Sequence, residues 1–354
     1  RATMNTAVHQ TANAVAKRAF LQHLDGLKDL PESDPRRTIL VTSGGVACHG
    51  KDTPILMFDG SLRPVQDVGL GERIMGPDSQ PRTVLVAHRG VGFLYRIMPK
   101  RGDPFVANGE HVLSLREVSR NGHHKERERL HTINVTVNDA LARGARFRKN
   151  SWLYRTGVEF DAVPVPLDPY FLGLWLGDGT RCLPAITSAE PEVVAFLESF
   201  AATFPGVRLV VHRKKSGGLA RSGDNKASCY QLSRIEKSGF GPGKTPCEKN
   251  PVTKRLMDIG VLRNKHIPHG YLANSREIRL GLLAGLLDSD GYLCKLGGFE
   301  IVAKDEKLAH GIAFLARALG FGVSRAPKRT PYKGEVRTYH RLHICGNVET
   351  IPTR

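Results

Sequence analysis

The sequence predicts an α+β protein in which an all-β region is followed by a helix-and-strand unit that occurs twice. Three observations predict this fold class. Short apolar runs separated by turn dipeptides fill residues 48–135. From about residue 168, apolar helical patterns alternate with basic strands. Within that second part, FLGLWLGDG (171–179) and LAGLLDSDG (283–291) repeat about 110 residues apart.

The first 47 residues predict a helix and then a short strand. TANAVAKRAFLQHL places apolar residues at helical spacing within residues 1–38, and LPESDPRR ends that pattern. TILVTSGG then predicts a buried strand that runs into a glycine turn. The next stretch, GGVACHGKD, nearly matches a phosphate-binding loop, with G-x-x-x-x-G-K complete from Gly45 through Lys51.

An intact nucleotide site at residues 45–52 is excluded by the residues on its C-terminal side. A phosphate-binding loop must begin a helix whose N–H groups face the phosphates. Here TPILMFDG predicts a strand and a hairpin, and Asp52 stands where a Ser or Thr hydroxyl is required. The alternative, a nucleotide-binding enzyme whose catalytic part is residues 1–52, is therefore disfavoured.

The β-rich region consists of successive hairpins. Asp59-Gly60 and Gly76-Pro77-Asp78 mark two turns between short strands. LYRIMP, PFVANGEHVLSL and TINVTVND predict further strands. The second part continues with the helices PEVVAFLESFAATF, KRLMDIGVL and EKLAHGIAFLARALGFG and with the strands VRLVVHRKK, CYQLSRIEK and VRTYHRLHICG.

Composition narrows the class of partner. The 52 Lys+Arg against 34 Asp+Glu give a net charge of +18 and a pI near 9.9, which favours a polyanion such as nucleic acid. A basic solvated surface without a specific partner is the alternative. Six scattered cysteines without a C-x-x-C pair argue against a zinc ribbon or a disulfide framework and indicate an intracellular, reducing location. No apolar run is long enough to span a membrane, so we expect no membrane partner.

The repeated acid indicates a metal site. Asp178 and Asp290 each end an apolar helix and precede a glycine suited to the left-handed helix C-cap. A carboxylate at a helix C-terminus faces the negative end of the dipole. Small residues would let the two helices pack closely, which would bring the two acids together. Divalent cations relieve that repulsion, and carboxylate oxygens suit Mg²⁺. Two unrelated core helices with Asp-Gly turns are the alternative.

These motifs resemble the paired motifs of the LAGLIDADG homing endonucleases. NKHIPHGYL (264–272) resembles the family's K-x-I-P block and gives Lys265 as a cation at the cleavage centre; Lys333 or Arg337 could supply a second one. The resemblance implies a pseudo-two-fold monomer with two αββαββ-like halves. It also implies double-stranded DNA as partner and Mg²⁺ bound by Asp178 and Asp290. Its DNA surface would be built from VRLVVHRKK, RSGDNKASCYQLSR and SRAPKRTPYKGEVRTYHR.

The β-rich region resembles the Hint-type splicing domain of inteins. CHGKDTPILMFDG resembles the first splicing block, and VANGEHVLSL resembles the second block with its N-x-x-H signature. The resemblance implies that Cys48 is the nucleophile that attacks the Ala47 carbonyl. It also implies that His111 is a general acid for the leaving amide nitrogen and that Asn108 polarises the scissile peptide.

We therefore expect four segments: an N-extein (1–47, a host fragment that ends in an interrupted phosphate-binding loop), the N-terminal part of the splicing domain (48–165), the endonuclease (166–345) and the start of a return to the splicing domain (346–354). The C-terminal splicing block is missing, so we expect no complete splicing. The function expected is a site-specific, metal-dependent endonuclease that cuts the intein-less host allele. The alternative is a DNA-binding remnant without nuclease activity.

Overall fold

The computed structural model describes residues 37–42, 48–120, 128–212, 227–235, 249–295, 297–332 and 334–354. The chain divides into two compact units, residues 1–155 and residues 156–354. The helix predicted for TANAVAKRAFLQHL (11–24) lies outside the described residues.

The described part of the first unit is mostly β-structure, as the turn pattern predicts. Its elements are β1 (Arg37–Thr42), β2 (Cys48–Gly50), β3 (Pro54–Leu56), β4 (Leu62–Pro64), a 3-10 turn (Val65–Asp67), β5 (Arg73–Met75), β6 (Pro81–Thr83), β7 (Val86–Val91), β8 (Leu94–Ile97), β9 (Phe105–Asn108), β10 (Val112–Arg120), β11 (Glu128–Thr136), α1 (Val137–Ala142), α2 (Gly144–Asn150) and β12 (Ser151–Leu153).

These strands form small antiparallel sheets. One sheet has the order β7-β1-β2-β9-β8, a second has β11-β10-β12, and the pairs β3-β4 and β5-β6 form ribbons. Both predicted hairpin turns are confirmed. Gly60 has a φ of 81° and Asp59 accepts a hydrogen bond from the Ser61 amide at 2.9 Å, whereas Ser79 takes the left-handed conformation in the second turn.

The five-stranded sheet fixes the position of Cys48. β2 lies between β1 and β9, with Leu40 opposite Cys48 and His49 opposite Ala107. Gly50 is required at the end of β2 because a Cβ there would come within 2.7 Å of the Val106 side chain.

The second unit alternates helices and strands. Its elements are α3 (Pro169–Asp178), β13 (Ala185–Ser188), α4 (Pro191–Ala202), β14 (Val207–His212), β15 (Ser228–Arg234), α5 (Pro251–Asp258), α6 (His269–Leu272), α7 (Arg276–Asp290), β16 (Gly291–Leu293), β17 (Phe299–Ala303), α8 (Glu306–Ala318), β18 (Gly322–Tyr332), β19 (Glu335–Cys345) and a 3-10 turn (Val348–Thr350).

The two halves of this unit are repeats. The sheet order is β13-β15-β14 in the first half and β17-β19-β18, extended by β16, in the second. Gly291 begins β16 opposite Ile301, and an isolated bridge joins Gly179 to Ile186 at the corresponding place. The predicted αββαββ arrangement is therefore complete in the second half, as α7-β16-β17-α8-β18-β19. In the first half one strand shrinks to a bridge because the turn between Gly179 and Ile186 is shorter.

Local sequence sets the starts of the two apolar helices. Asp168 accepts a hydrogen bond from the Phe171 amide at 2.9 Å, and Pro169 occupies the first turn of α3. Ser275 caps α7 in the same way through the Ile278 amide. From these caps the helices run as buried rods into one core that both halves share.

Glycines let α3 and α7 pack backbone against backbone. A Cβ on Gly173 would overlap the Leu282 carbonyl oxygen, and one on Gly285 would overlap the Tyr170 carbonyl oxygen. The close approach predicted from the small residues is therefore confirmed. No helix among the described residues is long and apolar enough to cross a membrane.

Candidate functional site

The paired helices deliver Asp178 and Asp290 to one place. Each acid is the last residue of its helix, as the sequence predicts. A Cβ placed on Gly177, next to Asp178, would lie 3.3 Å from Oδ2 of Asp290 and would collide with the Ser289 side chain. The second carboxylate therefore reaches across to the end of the first helix.

The expectation of left-handed glycine caps at these helix ends is wrong. Gly179 has φ −74° and ψ 148°, and Gly291 has φ −83° and ψ 149°, so both are extended and lead into strand pairing. Glycine is required there for a different reason. A Cβ at Gly179 would strike the carbonyl oxygen of Trp175, and one at Gly291 would strike that of Leu287.

The two carboxylates share an unfavourable electrostatic environment. Desolvation, with the neighbouring Asp290 charge second, raises the pKa of Asp178 to about 6, and Lys265 partly opposes this. Desolvation likewise raises the pKa of Asp290. Both acids are exposed to solvent at the ends of their helices, so this desolvation is partial. Among the described residues, neither carboxylate has a hydrogen bond or an ion pair within 4.0 Å.

Lys265 lies beside this pair. Its Nζ donates a hydrogen bond of 2.8 Å to the Gly177 carbonyl and lies 5.3 Å from the centre of the Trp175 ring. Burial lowers the pKa of Lys265 to about 8, although Asp290 and Asp178 both act to raise it. Below that pH the side chain is an ammonium group held against the end of α3.

A cavity of about 310 Å³ opens at this point. Its apolar wall comes from α3, α7 and α8, and its polar groups include Asp290 and Lys265 together with Arg181, Lys304, Asp305 and Tyr339. Sequence reasoning missed the cations Arg181 and Lys304. Arg181 comes three positions after Asp178, and Lys304 directly follows β17. Their closeness in sequence to the repeated helices and the strands that follow was the signal that could have identified them.

The sequence offered two candidates for a further cation, Lys333 and Arg337. Lys333 is outside the described residues. Arg337 is exposed on β19, where Nη2 lies 3.9 Å from a carboxylate oxygen of Glu335, and it does not line the cavity.

A second set of predicted residues meets in the first unit. Asn108 Oδ1 accepts a hydrogen bond of 3.0 Å from the backbone N–H of Cys48, the nitrogen of the Ala47–Cys48 peptide. The Cys48 side chain is buried, and desolvation raises the pKa of its thiol to about 12. The thiol is therefore neutral at neutral pH. Ala47 lies outside the described residues.

His111 is paired with a histidine that sequence reasoning did not single out. The rings of His49 and His111 lie 4.4 Å apart at 56°, and both Nδ1 atoms are buried without a hydrogen-bond partner in the described structure. Burial, with the proximity of His111 second, lowers the pKa of His49 to about 4, and burial also lowers the pKa of His111. Both rings are therefore neutral at neutral pH.

Two family models match the chain where these sites lie. Residues 48–145 match the Hom_end-associated Hint family, and residues 266–348 match the Homing endonuclease family. The chain is an intein sequence that carries a homing endonuclease domain. Cys48, Asn108 and His111 fall within the Hint match, and Asp290 falls within the homing endonuclease match.

Curated relatives align with this intein over different lengths. The replicative DNA helicase DnaB of Mycobacterium intracellulare is 26% identical over 285 residues, which are 76% of this chain and 42% of that protein. The homothallic switching endonuclease of Saccharomyces cerevisiae is 29% identical over 173 residues, 44% of this chain and 27% of that protein. The intein chain thus spans less than half the length of either relative.

Among solved structures, mesophilic variants of the homing endonuclease I-DmoI have a TM-score of 0.35 and 13% identity. That match covers 52% of the intein chain and 95% of the I-DmoI chain. An I-DmoI complex with its target DNA and manganese has a TM-score of 0.32 and 13% identity, covering 51% and 87% of the two chains.

Proposed function

We propose that the second unit hydrolyses phosphodiester bonds of double-stranded DNA at the uninterrupted host allele, with a divalent cation as cofactor. We also propose that it acts as a monomer in which the two repeats stand for the two subunits of a dimer. The observation that carries the proposal is the convergence of Asp178 and Asp290 at the ends of two helices in backbone contact, with Lys265 beside them.

The donor set fits a hard divalent cation. Two neighbouring carboxylates, each with a raised pKa and neither with a hydrogen bond among the described residues, are stabilised by a cation that binds both. Among the described residues, no group of three or more His, Cys, Asp or Glu could hold a metal unaided. The remaining oxygen ligands would come from water and from DNA phosphates. A cation held by Asp178 and Asp290 would neutralise charge on the phosphate and acidify a bound water.

Lys265 has a separate role in this proposal. Its Nζ is fixed by the Gly177 carbonyl at the mouth of the cavity, where it can stabilise charge that develops on a scissile phosphate. Arg181 and Lys304 in the same cavity add to this field. Because the pKa of Lys265 is lowered to about 8, a fraction of the protein carries a neutral Lys265 amine near neutral pH, and this side chain can then exchange a proton.

The sheets supply a surface for DNA. Leu342 and Ile344 of β19 are buried in the core, so the alternating residues Arg337, Tyr339, Arg341 and His343 line the opposite face. The register places Lys328 of β18 beside Tyr339 on that face. In the first half Val207 of β14 is buried and its neighbour Arg208 is exposed, so the exposed face of β14 also carries a basic residue. Basic side chains at these positions suit phosphate contacts and salt-sensitive binding.

Plasmid cleavage tests the endonuclease. A supercoiled plasmid that carries the host gene without the intervening sequence should be linearised by the purified chain with Mg²⁺ and left intact with EDTA. Asp290→Asn should abolish cleavage and retain DNA binding in a gel-shift assay. Asp258→Asn, on the exposed face of α5, is the matched control. Persistent intact plasmid with the wild-type protein, or full activity of Asp290→Asn, would contradict the proposal.

We propose further that the Hint region forms a thioester at Cys48. The Cys48 sulfur would attack the carbonyl carbon of Ala47, so that a C–S bond forms, the C–N bond breaks and the thiol proton passes to the amide nitrogen. The hydrogen bond from Cys48 N–H to Asn108 holds that nitrogen. Because the pKa of His111 is lowered, its neutral ring can accept the thiol proton before it donates one.

Thiol-induced cleavage tests this step. Incubation with dithiothreitol should release residues 1–47, detected by mass spectrometry. Cys48→Ala should abolish release, and Asn108→Ala should slow it. Release that is equally fast from Cys48→Ala would refute the assignment of the nucleophile.

A further inference from the structure

The repeat in the second unit allows each residue of the cavity to be compared with its counterpart in the other half. The anchors are structural. Asp178 corresponds to Asp290 at the helix ends, and the pairs Gly179–Ile186 and Gly291–Ile301 occupy the same place in the two sheets. The next helix begins at the same distance from these anchors in both halves, at Pro191 after Ile186 and at Glu306 after Ile301.

The segment that carries Lys265 has its own counterpart near the end of the described chain. Lys265 precedes the buried Ile267 by two positions, and Glu349 precedes the buried Ile351 by two; a proline comes directly after each isoleucine. Each segment lies against the second helix of the opposite half. The side chain of Ile267 lies 3.3 Å from a Cβ built on Gly311 of α8.

The C-terminal segment lies against the corresponding helix of the first half through Arg354. The Arg354 guanidinium lies 4.8 Å from the ring centre of Phe196 of α4. Phe196 and Gly311 are the same position of their helices, counted from the helix starts. Glu349 is therefore the counterpart of Lys265.

All three cations of the cavity have uncharged or acidic counterparts. Arg181 is the second residue after Gly179, and Leu293 is the second after Gly291. Lys304 comes directly after the last residue of β17, and Ala189 directly after the last residue of β13. The three exchanges are Arg181 to Leu293, Lys304 to Ala189 and Lys265 to Glu349.

The acidic residues add to the difference. Leu176 lines the cavity, and its counterpart is Asp288, whose Oδ2 accepts hydrogen bonds from Tyr170 Oη at 2.7 Å and from the Arg354 amide at 2.8 Å. Asp305 has an acidic counterpart, Glu190. The counterpart positions thus include four carboxylates, those of Asp178, Glu190, Asp288 and Glu349. The charge of Arg354 acts on Asp288, and its guanidinium lies over the Tyr170 ring.

We infer that the two strands of the DNA are cut at unequal rates, with the strand at the Asp290 cavity nicked first. The inference rests on the proposed endonuclease function and adds to it an order of events. A scissile phosphate at the Asp290 cavity meets the cations of Arg181, Lys265 and Lys304. On the other side the counterpart positions are Leu293, Glu349 and Ala189, which supply no positive charge for the transition state, and the Arg354 guanidinium packs over the rings of Tyr170 and Phe196.

The size of the difference can be estimated from the contribution of preorganised donors. Loss of one such donor costs on the order of 100-fold in rate in enzymes where it has been removed. Solvent at this open site weakens each charge. The first nick should therefore be on the order of 10- to 100-fold faster than the second. In a time course, nicked circular plasmid should accumulate before linear plasmid forms.

A duplex that spans the uninterrupted host junction, with different labels on its two 5′ ends, assigns the strands. With the full chain and Mg²⁺, one label should shorten first. Arg181→Ala should slow the fast strand and leave the slow strand unchanged. The triple variant Leu293→Arg, Ala189→Lys, Glu349→Lys should accelerate the slow strand alone. Glu198→Lys, a charge change on the exposed face of α4, controls for added net charge and should change neither rate.

The outcomes separate the two proposals. Equal rates for the two labels, or slowing of both strands to the same degree by Arg181→Ala, would overturn the inference and leave the endonuclease proposal standing. Cleavage of neither strand would overturn both. A fast and a slow strand, whose difference shrinks in the triple variant, would support the inferred order of events.

Discussion

The contact between α3 and α7 makes a quantitative prediction for Gly285→Ala. A Cβ at Gly285 would overlap the Tyr170 carbonyl oxygen and lie 2.9 Å from the Leu174 backbone nitrogen. These are backbone atoms, which cannot rotate away as a side chain does. The helices must separate, and overpacking of this kind costs about 1–3 kcal/mol or more.

Gly281→Ala provides the matched control on the same helix. A Cβ there would lie 3.2 Å from Pro169 Cγ, a contact that a small shift relieves. Both substitutions gain the same helix propensity, roughly 1 kcal/mol. The difference in free energy of unfolding between Gly285→Ala and Gly281→Ala therefore isolates the clash.

Thermal unfolding followed by tryptophan emission measures the effect. Trp175 is fully buried in the second unit, whereas Trp152 in the first unit is 54% exposed, so the shift in emission mostly reports the second unit. For a unit of this size each kcal/mol moves Tm by roughly 2–4 °C. Gly285→Ala should melt roughly 2–12 °C below Gly281→Ala and lose DNA cleavage as Asp290 moves away from Asp178. Equal melting temperatures would refute the backbone contact.

Three further predictions concern single side chains. Lys265→Ala should lower DNA cleavage on the order of 100-fold with little change in gel-shift affinity, and a change of less than about twofold would exclude a role at the phosphate. Arg279→Met should lower the free energy of unfolding by about 1–3 kcal/mol, measured by urea denaturation, because the buried guanidinium donates to the carbonyls of Ala318 and Val158; Arg276→Met, at a half-exposed partner of Glu159, should cost much less. Because the pKa of His49 falls from 6.5 to about 4 on folding, the stability present above about pH 6.5 is lost as the pH drops towards 4. Protection factors against hydrogen exchange at β2 and β9, which correct for the slower intrinsic exchange at low pH, should therefore fall over that range. His49→Gln should blunt the fall, and identical profiles would contradict the buried pair.

The sequence was informative about this molecule where a pattern repeats. Two apolar helices that each end in Asp-Gly predicted the paired rods, their close contact and the place of both acids. The hairpin dipeptides predicted the strands of the first unit. The resemblance carried by N-x-x-H implied a contact of Asn108 with the peptide before Cys48, and Asn108 Oδ1 accepts a hydrogen bond from the Cys48 N–H.

The features that the sequence could not predict depend on three-dimensional neighbours. The extended conformation of Gly179 arises because the next residues pair with β13, and a left-handed cap would direct the chain elsewhere. Arg181 and Lys304 come from a turn and a strand end that meet only in the folded unit. The ring of His49 in β2 makes a tilted contact with the ring of His111 in the turn before β10, and neither residue type nor spacing indicates such a contact.

The convergence of the two carboxylates can be measured without DNA by an NMR titration of the Asp178 carboxyl carbon in metal-free protein. The structure predicts a pKa of about 6 in the wild type, raised in part by the charge of Asp290. In Asp290→Asn the pKa of Asp178 should fall towards its ordinary value, whereas Asp258→Asn should leave it unchanged. An Asp178 that titrates near its ordinary value in the wild type, or does not respond to Asp290→Asn, would contradict the account.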